Sequence, residues 1–294
     1  MKMMVALNNI VRVYGKGSTQ VQALRGLNME VAKGELTVVM GPSGSGKTTL
    51  LNIIGGMDVP TAGLVRVDNV TVNDMTESDL DNYRLRKIGF VFQTYNLIPA
   101  LTAMRNVELP LLAAGCNSSE ARIRAVELFQ VVGLENRMNH RPNELSAGEN
   151  QRVALAAALS NDPPVILADE PTGNLDTNTA ETIIDYIKSI TREFNKTVIL
   201  VTHDPAVARK ADWIHIIRDG IISSRIKPSQ LDEAVTSYDK FIRTRIDQVD
   251  NEIQMIDTKV QQGLIEGNDF MEARGNLVRT IEVLREELAK LGQI

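Results

Sequence analysis

Four short runs of the chain are apolar at almost every position: ELTVVM (35–40), IGFVFQ (88–93), PVILADE (164–170) and TVILVTHD (197–204). Continuous apolar runs of this length fit strands covered on both faces, as in a parallel sheet. Between them the period changes. TTLLNIIGGM after residue 47, the stretch from 94 to 158, and residues 176–194 with Ile183, Ile184 and Ile187 carry apolar residues at helical spacing. Residues 3–40 read as short strands with turns at Gly15–Gly17 and Lys33–Gly34, and 61–73 as a further hairpin of the same small antiparallel layer. Residues 213–224 read as a closing hairpin about Asp219–Gly220. Beyond Pro228 the pattern changes again. Apolar residues from Val235 to Val260, and from Phe270 to Leu291, recur every three or four positions, with a break at 263–268 where Asn268 and Asp269 are suited to capping. The expected architecture is α/β: an open, mostly parallel sheet with an N-terminal antiparallel layer, a helical insert at about 94–158, and a C-terminal antiparallel helical hairpin. The expected domains are 1–228 and 229–294.

Charge sharpens that boundary. Residues 229–294 hold 13 acidic and 8 basic side chains, whereas residues 1–228 hold 24 of each sign. The whole chain, 43% hydrophobic and 23% charged, has an ordinary globular composition. With 4% aromatic residues and a net charge of −5 it lacks the basic, base-stacking surface of a nucleic-acid binder, so no nucleic-acid partner is expected. The single cysteine, Cys116, excludes an internal disulfide and reads as a small filler in a reducing compartment. No run is long enough to span a bilayer, and MKMMVALNNIVRVYG lacks the features of a secretory signal. The expected location is the cytosol or the cytoplasmic side of the cell membrane.

The strongest chemical motif is GPSGSGKTT at 41–49, lying between a predicted strand and a predicted helix. Gly41, Gly44 and Gly46 let the backbone aim successive N–H groups, including those of Ser43, Ser45 and Thr49, at one anion. Lys47 adds a full charge, and Thr48 places a hydroxyl where magnesium needs an oxygen. This is a P-loop, so ATP and Mg2+ are the expected ligands. PVILADE ends in two acids: Asp169 is placed to orient magnesium beside Thr48, and Glu170 to polarise a water in line with the γ-phosphate. Gln93 and His203 also end predicted strands. In open α/β sheets ligands bind at the carboxyl ends of the strands, so these residues should converge on the glycine loop. With no paired cysteines and no H-E-x-x-H spacing, nothing suggests zinc, and His140 and His215 receive no role.

LSAGENQRVALAAAL at 145–159 resembles the ABC-ATPase signature, with Leu145, Ser146, Gly148 and Glu149 in register. Gln93 stands in the Q-loop position, Asn174-Leu175-Asp176 in the D-loop position, His203 in the switch position, and Tyr14 where the family stacks an aromatic ring on adenine. The residues themselves make Ser146 and the N–H groups of Ala147 and Gly148 a second anion nest before a helix. The resemblance implies that this nest, with Glu149 and Asp176, serves a second copy's ATP, so that a homodimer sandwiches two nucleotides head to tail. It also implies that His203 senses the γ-phosphate and that Gln93 helps hold magnesium. PSGSGKTTLLNIIGGMDVPTAG, IGFVFQTYNLIPALTAMRNVELPLL and LADEPTGNLD are similar to the ATPases of macrolide exporters and lipoprotein-release systems, which drive separately encoded transmembrane permease subunits. The family docks that subunit's coupling helix at 94–112. Tyr95, Leu97, Ile98 and Leu101 are candidates for that contact, core packing being the alternative. Two residues depart from the family pattern. Ala147 replaces a glycine, a strained choice if the position needs positive φ, and Ala157 stands where many relatives carry arginine.

The resemblance does not reach 229–294; that hairpin is open to service as a partner contact, a dimer contact, a restraint on the ATPase, or self-contained packing. The expected function is the ATPase subunit of an export or mechanotransmission complex. The alternatives are a non-transport regulator of the cell-division type and, further off, a soluble DNA-repair ABC ATPase.

Overall fold

The computed structural model describes residues 2–15, 20–261 and 268–291. The chain divides into two compact units, 1–228 and 229–294. Two sheets organise the first. Strands β1 (Met3–Tyr14), β2 (Val21–Ala32), β4 (Ala62–Val67) and β5 (Val70–Thr71) form an antiparallel sheet in the order β2-β1-β4-β5. The larger sheet runs β10-β9-β3-β8-β7-β6, from β3 (Leu36–Met40), β6 (Ile88–Phe92), β7 (Val165–Asp169), β8 (Thr197–Thr202), β9 (Trp213–Arg218) and β10 (Ile221–Ile226). All its neighbours are parallel except the β9–β10 hairpin. Every residue of β3 and β8 is buried, which is why both read as unbroken apolar runs. One apolar core joins the two sheets: Leu24, Leu27 and Val31 from the first meet Val39, Val201 and Ile217 from the second, with Leu50 and Ile54 of α1 (Lys47–Ile54).

The antiparallel strands are longer than the short ones expected. β1 and β2 run twelve residues each because bulges between Leu7 and Val11 absorb the mismatch in their registers. Of the turn expected at Gly15–Gly17, residues 16 and 17 lie outside the described residues; so does most of the break at 263–268. α2 (Glu77–Lys87) is not signalled by the apolar pattern. It buries only Leu80 and Tyr83, and its start is set by a capping box between Thr76 and Asp79. The helical insert holds α3 (Ala103–Ala113), α4 (Ser118–Val131) and α5 (Ala147–Leu159). Its first nine residues, 94–102, are a loop. Tyr95 and Asn96 take left-handed φ values of 63° and 53°, and buried Asn106 clamps the loop by accepting from Ile98 N at 2.7 Å and donating to the Thr102 carbonyl at 3.0 Å. α6 (Thr177–Glu193) and the short α7 (Pro205–Ala208) complete this unit.

In the second unit α8 (Leu231–Gln261) and α9 (Asn268–Leu291) form the expected antiparallel pair. Arg274 Nε lies 3.0 Å from Asp257, and Arg285 lies 3.8 Å from Asp250, with Val249 and Ile281 buried.

His215, on β9, is 3% exposed and neither ring nitrogen has a hydrogen-bond partner. Burial, aided by the nearby Arg225 charge, lowers its pKa from 6.5 to about 4. A depressed histidine stabilises the fold at pH values above the unfolded-state pKa, and that contribution is lost as pH falls from 6.5 toward 4. His215→Phe removes the ionisation and is expected to lose about 2 kcal/mol less stability than the wild type between about pH 7.5 and about pH 5. Urea unfolding of both proteins at the two pH values measures this; equal losses would contradict it.

Candidate active site

Register brings the chemistry to one edge. Met40 pairs with Thr202 and Ile216, Phe92 with Asp169, and Asp169 with Val201. The residues just past these strand ends, Gly41, Gln93, Glu170 and His203, therefore leave the same side of the sheet.

The glycine loop is built for close backbone approach. Gly46 has φ of 100°, and a Cβ there would stand 2.6 Å from the Ala23 carbonyl; at Gly41 a Cβ would strike the Ile217 carbonyl. Leu50 N donates to the Gly46 carbonyl at 2.9 Å, opening α1 directly from the loop. Lys47 is buried, with Nζ donating to the carbonyls of Gly41 and Pro42, both at 2.8 Å. Ser45 Oγ is buried with no hydrogen-bond partner, whereas Ser43, Gly44 and Thr48 are exposed and Thr49 is half-buried. A buried cation and an unpartnered hydroxyl beside a left-handed backbone suit an incoming anion.

Asp169 accepts a hydrogen bond from the Thr48 hydroxyl. Burial, then the neighbouring Glu170 charge, push its pKa upward, against the opposing effects of that hydrogen bond and of Lys47. Such a carboxylate is short of compensating charge. Among the described residues no three His, Cys, Asp or Glu side chains cluster as a metal cage. The pair Thr48–Asp169 nevertheless fits magnesium, which takes one or two protein oxygens and fills its shell from phosphates and water. Glu170 holds φ of 44°, with its N–H on the Val201 carbonyl at 3.0 Å and its carbonyl accepting from Gly173 N at 3.0 Å. Its carboxylate lies 3.1 Å from His203 Nδ1. Gln93 is exposed at the end of β6; Asn174 Nδ2 donates to its carbonyl at 3.0 Å, and Gly173 packs against its side-chain amide.

Ser146 caps α5. Its Oγ accepts from Glu149 N at 3.2 Å while Glu149 returns a carboxylate oxygen to Ser146 N at 2.8 Å. Ala147 is the first residue of that helix and is not among the residues with positive φ, so no left-handed strain arises there. At Gly148 a Cβ would strike the Thr179 methyl group. Asp176 caps α6 through Thr179, and those hydrogen bonds hold its carboxyl below the usual range.

Tyr14 is exposed, and its supports carry no sequence signal: its hydroxyl donates to Asp58 at 2.6 Å and the Arg12 guanidinium lies 4.6 Å from the ring centre. Arg12 also pairs with Asp58 at 2.6 Å. None of Tyr95, Leu97, Ile98 and Leu101 is fully buried. The first three, with Phe90, Leu109 and Ala157, line a cleft of about 250 Å³. The small Ala157 side chain leaves that cleft open where an arginine would reach into it.

Residues 24–173 match the model of a family described as ABC transporter. An uncharacterized ABC transporter ATP-binding protein of Thermotoga maritima is 50% identical over 222 residues, 76% of this chain and 94% of the relative. The lipoprotein-releasing system ATP-binding protein LolD of Bacteroides fragilis is 43% identical over 220 residues, 74% of this chain and all of the relative. Among solved structures, the ATP-binding cassette MJ0796 of Methanocaldococcus jannaschii, a dimer in a post-hydrolysis state bound to ADP and Pi, is 47% identical. It superimposes with a TM-score of 0.72 over 76% of this chain and 99% of that one.

Proposed function

The chain belongs to the ABC transporter family of ATP-binding cassettes, and we propose that it is the ATP-hydrolysing subunit of a transport complex. Two copies close head to tail over two ATP molecules and drive a separately encoded membrane permease from the cytoplasmic face, for export or mechanotransmission. The observation that carries this reading is the convergence of Lys47, Asp169, Glu170 and His203 at one sheet edge beside a glycine loop. Support for the paired arrangement comes from the dimeric MJ0796 cassette, and for the export branch from the likeness to LolD.

The work of each residue follows from its chemistry. Loop N–H groups and the Ser43 and Ser45 hydroxyls bind the phosphates, and Lys47 leaves its two carbonyls to meet the β- and γ-phosphate oxygens. Thr48 and Asp169, assisted by Gln93, would hold magnesium, which when bound supplies positive charge against the transferring phosphoryl group. Glu170 orients the attacking water and takes its proton, and His203 steadies the Glu170 carboxylate and senses the γ-phosphate. Tyr14 stacks on adenine with a ring already held by Asp58. Ser146, Ala147 and Gly148 finish the partner copy's site, with Asp176 alongside. The cleft lined by Tyr95, Leu97 and Ile98 receives the permease.

No helix of the described residues is long and apolar enough to cross a membrane. The test is purification of the tagged full chain from solubilised native membranes. Recovery with a stoichiometric integral membrane protein that stimulates its ATP hydrolysis is expected. Active ATPase recovered only from the soluble fraction, with no membrane chain bound, would overturn the transport reading.

A further inference from the structure

Glu149 stands in the signature, yet its carboxylate is engaged within its own chain. One oxygen accepts from Ser146 N at 2.8 Å and the other lies 2.9 Å from Arg137 Nε. Arg137 ends a single helical turn at Glu135–Arg137. The segment after that turn is braced from two sides. Ala103 N and Met104 N, at the start of α3, donate to the carbonyls of His140 and Met138 at 2.7 and 2.9 Å. Buried Asn150 donates to the carbonyls of Pro142 and Leu145 at 2.9 and 3.2 Å. The backbone that follows Arg137 is thus held in place on both sides.

We propose that Arg137 is a positioning residue for the composite nucleotide site. It holds the Glu149 carboxylate in the one rotamer that closes the capping box, and the capping box fixes Ser146. A serine hydroxyl offers one donor and two acceptor sites. With Glu149 N–H directed into an acceptor site, the Oγ proton of exposed Ser146 is left to point outward, toward the γ-phosphate bound by a second copy. This inference rests on the head-to-tail dimer. The ion pair itself is half exposed on the arginine side, so it contributes little to the stability of the isolated chain. Its effect belongs to geometry: removing it frees a long carboxylate side chain to leave Ser146, and the lost order has to be restored on each closure.

The experiment measures ATP-driven association of the full chain in a Glu170→Gln background by sedimentation, with Arg137→Ala, Arg137→Lys, Glu149→Gln and the Arg137→Ala/Glu149→Gln double variant. Arg137→Ala is expected to weaken the dimer about tenfold, a typical coupling for directly bonded groups. Arg137→Lys should recover part of the loss. Single-chain affinity for a fluorescent ADP and the thermal midpoint should stay at the parent values, which a merely structural role would not allow. Arg137→Ala should add no further weakening once Glu149 is glutamine. Parental association of Arg137→Ala, or equal weakening by Arg137→Ala in both Glu149 backgrounds, would overturn the inference while leaving the dimer standing. Failure of the Glu170→Gln parent to associate would overturn the dimer reading and this inference with it.

Discussion

Glu170→Gln is expected to bind ATP as the wild type does and to turn it over at least about a hundred times more slowly, the usual scale for loss of a general base. Glutamine keeps the size of the side chain and the backbone at φ of 44°, whose N–H and carbonyl are tied to Val201 and Gly173. It removes the negative charge that can take a proton from water. The His203 contact at 3.1 Å can persist with an amide oxygen, so the change isolates chemistry from architecture. Steady-state phosphate release together with nucleotide titration reads both quantities. Turnover within a fewfold of wild type would remove Glu170 from the role given to it.

Lys47→Ala should fail at the binding step. The ammonium is buried and held by two loop carbonyls. Those bonds keep the side chain aimed across the loop that receives the phosphates. Losing a charge-assisted contact to a doubly charged group costs on the order of 100-fold in affinity. Calorimetric titration with ATP is expected to show that loss, with the thermal midpoint of the nucleotide-free protein little changed. Affinity within about threefold of wild type would contradict it.

Much of this site is legible in the sequence for a physical reason. A parallel sheet is covered on both faces, so central β3, β7 and β8 and edge strand β6 appear as apolar runs, and topology places the residues after each run at one end of the strands. The glycines at 41, 44 and 46 and the acids at 169 and 170 sit next to such runs, so their neighbourhood is predictable. Features that no period encodes are hidden from such a reading. α2 is held by its cap more than by an apolar face, and its weakly apolar sequence conceals it. The loop at 94–102 reads as the start of the helical region because Leu97, Ile98 and Leu101 mimic helical spacing. Two left-handed residues and the Asn106 clamp decide otherwise. The supports of candidate site side chains, Asp58 around Tyr14 and Arg137 behind Glu149, are 44 and 12 residues away from the groups they hold. Such pairings arise only when separate elements pack together.

Ala147 illustrates the reverse case, where likeness to a motif raises a concern that geometry removes. The residue opens α5 in ordinary helical conformation, and its N–H remains available to an anion. The hairpin of α8 and α9 is legible as an element from its stripe, since Val249 and Ile281 are buried as the spacing requires. Its purpose is not, because a self-packed stripe names no partner.

In the function proposed above, a nucleotide bound to one copy's glycine loop is closed over by Ser146 and Gly148 of another. Small-angle scattering of the Glu170→Gln protein, without nucleotide and with saturating Mg-ATP, reads that closure as a change in mass. The scattering mass is expected to double with ATP, and Ser146→Arg, which fills the nest without touching the glycine loop, should abolish the doubling while ATP still binds. An unchanged mass at saturating ATP, with the permease present as well as absent, would contradict the shared site.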